Sequence, residues 1–140
     1  MNEFLERARH TLEEGEYACV LLHEDKTFCS RKRGVAPLLE LIGEKTDLRC
    51  AYAADKVLGA GAAYLYVLMG VSAVWAGTVS ESARQIFENY GIELSYGLCV
   101  PFIVNRAGDG VCPMEKAVSD ATSPEDALLR IKEALAKLSQ

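Results

Sequence analysis

Arg49-Cys-Ala-Tyr-Ala-Ala54 and Val71-Ser-Ala-Val-Trp-Ala76 are short apolar runs of the kind that form buried strands. The first run leads into a helix that we expect to begin at Asp55, and the second leads into a helix expected near Ser80. From Leu48 to Ser95 the predicted order is therefore strand, helix, strand, helix, strand. Two such βαβ units predict parallel strands that are covered by helices on both faces.

An antiparallel hairpin is predicted before these units. Tyr17-Ala-Cys-Val-Leu-Leu-His23 and Lys26-Thr-Phe-Cys-Ser30 flank the polar pair Glu24-Asp25, which has the spacing of a hairpin turn. An amphipathic helix is expected at the N-terminus, and Ser123-Pro-Glu-Asp126 is a start signal for a last helix. The predicted fold is a three-layer α/β/α sandwich with a mixed central sheet, in a single domain of residues 1–140.

Composition restricts the partners that we expect. The chain has 140 residues, half of them apolar, which suffices for one core without a metal or disulfide staple. A net charge of -5 argues against sequence-independent binding of nucleic acid, because such binding needs lysine and arginine on the phosphates. Its five cysteines form no C-x-x-C pair, which favours the reducing cytoplasm.

No membrane span is predicted, although one segment imitates it. No charged residue occurs between Val57 and Ser80. Gly70 interrupts this stretch, and strand-forming residues follow it, so a buried helix and a buried strand are the better interpretation.

Five segments resemble a bacterial family of domains of unknown function that is assigned a cytidine-deaminase-like fold. In chain order they are Gly34-Val-Ala-Pro-Leu-Leu-Glu-Leu41, Ala54-Asp-Lys-Val-Leu-Gly59, Ser80-Glu-Ser-Ala83, Val100-Pro-Phe-Ile-Val104 and Cys112-Pro-Met-Glu115. The resemblance covers nearly the whole chain and implies the deaminase-like fold, but it implies no particular activity.

The zinc ligands of deaminases are missing. Zinc deaminases carry H-x-E at the first strand-to-helix junction and P-C-x-x-C at the second. Here Ser80 and Ala83 fall where the two cysteines would lie. At the first junction two registers stay open. In one, Asp55 takes the position of the metal ligand and Val57 that of the acid/base Glu. In the other, Ala53 takes the position of the ligand and Asp55 that of the Glu. We therefore predict no metal and no other cofactor.

Asp55 and Lys56 have two interpretations. As the start of a helix, Asp55 would cap the free N–H groups of the first turn. Alternatively, Asp55 acts as an acid/base group and Lys56 as an anion-binding or Schiff-base group, since this junction faces the ligand crevice of an open α/β sheet.

The second junction is read in the same two ways. Thr78 and Glu81 have the spacing of a capping box. The hydroxyls of Ser80 and Ser82, with Glu81, also suit the binding of a phosphate or carboxylate at a helix N-terminus.

Cys112 precedes Pro113 and is predicted at the N-cap of a short helix, where a thiol is either structural or acidified for catalysis. Glu115 belongs to the same segment and is a candidate ligand-binding residue. Arg31 and Arg33 form part of a basic loop that is either solvated or closes over the crevice and binds phosphate.

Two functions are predicted from different classes. The first is a domain that binds a small anionic or nucleotide-like ligand, with Asp55, Lys56 and Cys112 as candidate catalytic residues. The second is a non-catalytic module that dimerises or senses a ligand, as a possible homodimer.

Overall fold

Helices cover both faces of a five-stranded mixed sheet. The computed structural model describes residues 1–139. Its elements are α1 (Glu3–Glu14), β1 (Cys19–His23), β2 (Lys26–Ser30), α2 (Ala36–Gly43), β3 (Tyr52–Leu58), α3 (Ala60–Met69), β4 (Ala73–Ser80), α4 (Glu81–Tyr90), β5 (Glu93–Val100), α5 (Pro113–Ala117) and α6 (Pro124–Leu138).

The strand order is β2-β1-β3-β4-β5. β1 is antiparallel to β2 and β3, whereas β3, β4 and β5 are parallel. The predicted hairpin and the two βαβ units are thus present, and the α/β sandwich with a mixed sheet is confirmed. No described helix is long and apolar enough to cross a bilayer.

One face of the sheet is covered by α1. Leu5, Ala8 and Leu12 form its buried side, as the apolar spacing predicts. They pack in one cluster with residues of β1, β3 and β4, namely Val20, Leu22, Ala54, Ala73 and Trp75.

The opposite face carries the larger core, to which α2, α3, α4 and α6 contribute. Tyr66 of α3 and Phe87 of α4 are its largest fully buried side chains. Ile131 is the corresponding anchor of α6, which packs against α3. The two βαβ helices therefore lie side by side on this face, and their N-termini lie at the same edge of the sheet.

The predicted end of the first strand is wrong. The sequence predicts a helix that begins at Asp55, but β3 continues to Leu58 and α3 begins at Ala60. Asp55 pairs with Ala76 and Cys19 on the neighbouring strands. A strand tolerates this carboxyl group because the buried hydroxyl of Tyr66 donates a hydrogen bond to it.

The second strand also lies later in the chain than predicted, since β4 spans Ala73–Ser80. The predicted start of the next helix near Ser80 is confirmed, since α4 begins at Glu81. The capping box predicted from Thr78 is absent, because Thr78 lies in the strand. Ser80 is the N-cap instead, and its hydroxyl accepts a hydrogen bond from Ala83 N–H.

A row of close backbone contacts crosses the parallel strands. A Cβ atom added at Gly77 would lie 2.7 Å from the carbonyl oxygen of Lys56, and one at Gly97 would lie 3.0 Å from that of Gly77. The pairing skips this row without a change of register, and Val74 and Val79 are both buried in the helical core although they are five positions apart. The alternation of side chains between the two faces of the sheet therefore shifts by one residue here, although no extra residue enters any of the three strands.

Candidate functional site

The site lies at the carboxyl edge of β3 and β4, where α3 and α4 begin. The N-cap of α3 is Gly59, which has no side chain to cap the first turn. The N-cap of α4 is the fully buried Ser80, whose hydroxyl also lies 3.3 Å from that of Ser82. Two helix N-termini, each with free N–H groups and a positive dipole end, are thus brought together.

The carboxylate of Glu115 lies between these helix N-termini. Its Oε2 atom accepts hydrogen bonds from Ala60 N–H at 3.1 Å and from the Ser82 hydroxyl at 2.8 Å. Its Oε1 atom accepts a hydrogen bond from Ile103 N–H at 3.0 Å. Glu115 is only 7% exposed, so these three donors are what makes burial of the carboxylate tolerable.

Two glycines allow this approach. A Cβ atom at Gly59 would lie 3.3 Å from the side chain of Ile103 and 3.4 Å from the carboxyl carbon of Glu115. One at Gly61 would lie 3.2 Å from Cβ of Met114. The first turn of α3 is therefore built from small residues, so that the α5 segment can pack directly on it.

A cavity of about 450 Å³ adjoins Glu115, and we call it the carboxyl-edge cavity. Residues of α3, α4, α5 and the segment after β5 line it. Its aromatic and polar lining includes Tyr64, Ser82, Gln85, Asn89, Phe102 and Lys116. Of the residues predicted from the sequence, the structure brings Ser82 and Glu115 to this cavity.

Asp55 is buried inside the sheet, on β3, and does not line the cavity. Its carboxyl group accepts a hydrogen bond from the Tyr66 hydroxyl at 2.7 Å. Burial raises the pKa of Asp55 to about 7, and hydrogen bonds from Tyr66 and from the Val57 N–H group oppose the rise. The predicted role of Asp55 as a helix cap is wrong, because this residue is in the middle of β3.

The other candidate residues are dispersed. Lys56 is exposed on β3, and its N–H group donates to Ala18 O. Glu81 forms an ion pair with Arg84 and accepts a hydrogen bond from the Cys99 thiol. Neither Lys56 nor Glu81 lines the cavity.

Cys112 is the N-cap of α5, as predicted, but its side chain makes no capping hydrogen bond. The thiol is half-buried and does not line the cavity.

The basic loop does not close over the cavity. Arg31 donates to Gly15 O at 2.9 Å and lies over the ring of Tyr17, so it braces the turn between α1 and β1. Arg33 is exposed. Neither arginine lines the carboxyl-edge cavity, which contradicts the predicted closure.

The residues at the two junctions do not fit a zinc ion. Ser80 uses its hydroxyl to cap α4, and Ala83 has only a methyl group. Within residues 1–139, no group of three His, Cys, Asp or Glu side chains is placed to hold a metal. The carboxylate of Glu115 connects the two helix N-termini.

Comparison with known proteins identifies the family. The model of the family described as "Domain of unknown function (DUF1893)" matches residues 7–135. The chain belongs to the DUF1893 family. A crystal structure of a DUF1893 family protein from Thermotoga maritima is similar, with a TM-score of 0.86 and 25% identity over 95% of this chain and 90% of that chain. No curated protein matches significantly.

A second solved structure shares only a limited similarity. It is a diaminohydroxyphosphoribosylaminopyrimidine deaminase/5-amino-6-(5-phosphoribosylamino)uracil reductase from Thermotoga maritima. The TM-score is 0.43 at 14% identity, over 82% of this chain and 40% of that chain.

Proposed function

We propose that this DUF1893 protein binds a small nucleotide-like molecule in the carboxyl-edge cavity. One observation carries the proposal: a cavity of about 450 Å³ combines aromatic rings, side-chain amides and a lysine in one place. Ligand sites typically have this order of volume and a few convergent polar groups on an otherwise apolar wall.

The lining matches the parts of such a ligand. Tyr64 and Phe102 offer aromatic surface on which a heterocycle can stack. Gln85 and Asn89 are four residues apart on α4 and both line the cavity, and each amide can donate and accept hydrogen bonds as a base edge requires. Lys116 supplies positive charge for a phosphate or another anionic group.

The binding site differs from the one expected at the helix N-termini. Glu115 already occupies the first turn of α3, so an anionic group of the ligand is bound by Lys116 instead. Asp55, Lys56 and Cys112 do not line the cavity, and we assign no reaction to the protein. The scaffold is best interpreted as cytidine-deaminase-like without the zinc site, in a cytoplasmic bacterial protein whose five cysteines are all free.

Calorimetric titration tests this proposal with uridine, UMP, AMP and inorganic phosphate. Asn89→Ala should weaken the binding of nucleoside and nucleotide alike, by roughly tenfold for the loss of one hydrogen bond. Lys116→Ala should weaken the binding of the nucleotide only. Lys132→Ala is the matched control, because Lys132 is exposed on α6 and does not line the cavity. If none of the four compounds binds the wild-type protein, the proposal is wrong.

A non-catalytic dimerising module is the second candidate. It is favoured by β5, an edge strand whose outer side pairs with no strand of residues 1–139. Tyr96 and Leu98 of this strand are 45% and 57% exposed. An edge of this kind is open to pairing with a second chain.

A further inference from the structure

The segment of residues 101–112, which we call the flap, forms one wall of the carboxyl-edge cavity. Its two arms are joined by an antiparallel bridge between Val104 and Val111. Phe102 on the first arm and Val111 on the second line the cavity. The flap therefore closes one side of the proposed binding site.

The flap is held together mainly by its own hydrogen bonds. The Asn105 side-chain amide donates a hydrogen bond to the Asp109 carboxylate at 2.9 Å, and Asp109 N–H donates one to Asn105 Oδ1. Cys112 N–H donates to Ile103 O at 2.8 Å across the base of the hairpin. Because these bonds are internal, the flap can swing without losing them.

One hydrogen bond fastens the flap to a side chain outside it. Within residues 1–139, this hydrogen bond is donated by Ile103 N–H and accepted by Oε1 of Glu115. The other carboxylate oxygen is held on the body of the protein by Ala60 N–H and the Ser82 hydroxyl. One carboxylate oxygen of Glu115 thus accepts hydrogen bonds from the body of the protein, and the other accepts one from the flap.

We propose that the flap is a lid over the carboxyl-edge cavity and that Glu115 is its latch. The proposal rests on the assignment of this cavity as the ligand site. Opening the lid breaks the hydrogen bond from Ile103 and moves Phe102 and Val111 away from the cavity, which admits a ligand. The hydrogen bonds from Ala60 and Ser82 keep the carboxylate in place for closure.

Native-state amide hydrogen exchange of the wild-type protein tests the lid. Opening frees the amide of Ile103, which should exchange roughly a hundredfold or more faster than that of Val74 in the central strand β4. The amides of Asn105 and Cys112 keep their internal hydrogen bonds and should exchange more slowly than that of Ile103. If the Ile103 amide exchanges as slowly as that of Val74, the flap is a fixed part of the body and the lid is excluded.

Glu115→Gln tests the latch. The amide keeps the shape of the side chain but has one acceptor oxygen, so it cannot accept from both the body and the flap. Exchange of the Ile103 amide should rise by roughly tenfold or more, the change expected on loss of a hydrogen bond to a charged group. Tryptic cleavage after the exposed Arg106 should rise in parallel. Glu133→Gln, at an exposed position of α6, should change neither quantity.

Unchanged exchange and cleavage in a folded Glu115→Gln variant would overturn the latch. Should this variant not fold, Ile103→Pro removes the N–H donor and leaves Glu115 in contact with Ala60 and Ser82. Faster cleavage after Arg106 then supports the latch, and unchanged cleavage refutes it. Both measurements are made without ligand, so the outcome of the titrations and that of the lid experiments are independent.

Discussion

Asp55 is an acidic residue that the fold keeps close to neutral. The Tyr66 hydroxyl donates a hydrogen bond to Asp55, so the Cys19 thiol, 3.3 Å from the Tyr66 oxygen, is the donor of the next hydrogen bond. Burial raises the pKa values of all three groups. A thiol with a raised pKa is a poor nucleophile, and we therefore assign Cys19 and Tyr66 to the structure rather than to chemistry.

Asp55→Asn should abolish a loss of stability that the wild-type protein suffers as the pH rises. The folded pKa of Asp55, about 7, lies above the ordinary value of 3.8. The folded state therefore holds the proton more tightly, and ionisation destabilises it between about pH 4 and pH 7, by at most about 1.4 kcal/mol per pH unit. Urea unfolding of both proteins across this range measures the difference.

Asp47→Asn is the control for that experiment. Hydrogen bonds from Arg49 lower the pKa of the exposed Asp47 to about 2, so its contribution is lost only as the pH falls below about 4. The difference in unfolding free energy between Asp47→Asn and the wild-type protein should be constant from pH 4 to pH 7. A constant difference for Asp55→Asn over the same range would contradict the buried, proton-retaining carboxyl group.

At the scale of elements, local signals predict the starts of α4 and α6 but not the junction of β3 and α3. Ser123 caps α6 as predicted, whereas α4 is capped by Ser80, two residues after the predicted Thr78. The end of β3 was missed because Asp55 and Lys56 read as a helix start, whereas Tyr66, eleven residues later, makes Asp55 compatible with a buried strand. The convergence at Glu115 was not predictable locally, since its donors come from three distant segments.

Gly77→Ala should destabilise the protein through the sheet. The added methyl group would lie 2.7 Å from the Lys56 carbonyl oxygen, a backbone atom that cannot rotate away. We expect a loss of about 1–3 kcal/mol of unfolding free energy, as for other overpacked sites. Gly43→Ala is the control, because nothing lies within 4 Å of its Cβ position. Equal unfolding free energies for the two variants would show that the close contact between Gly77 and the Lys56 carbonyl does not limit the size of residue 77.

At the scale of the molecule, the two edges of the sheet are unlike. The strand β2 begins with Lys26 and leads into the basic loop that contains Arg31 and Arg33. The strand β5 carries one charged residue, Glu93 at its start, and exposes Tyr96 and Leu98. Lysines and other charges are common protection against edge pairing, so β5 is the less protected edge.

Self-association through β5 is therefore the expected behaviour of the dimerising module. In sedimentation velocity experiments the wild-type protein should show a concentration-dependent dimer, and Leu98→Lys should raise its dissociation constant by roughly tenfold or more. Leu129→Lys is the matched control, because Leu129 of α6 is 60% exposed, close to the 57% of Leu98, but lies on a helix. A wild-type protein that stays monomeric at the highest concentration tested would exclude this function. An equal effect of both lysines would place the contact elsewhere, since a pairing of β5 edges has no role for Leu129.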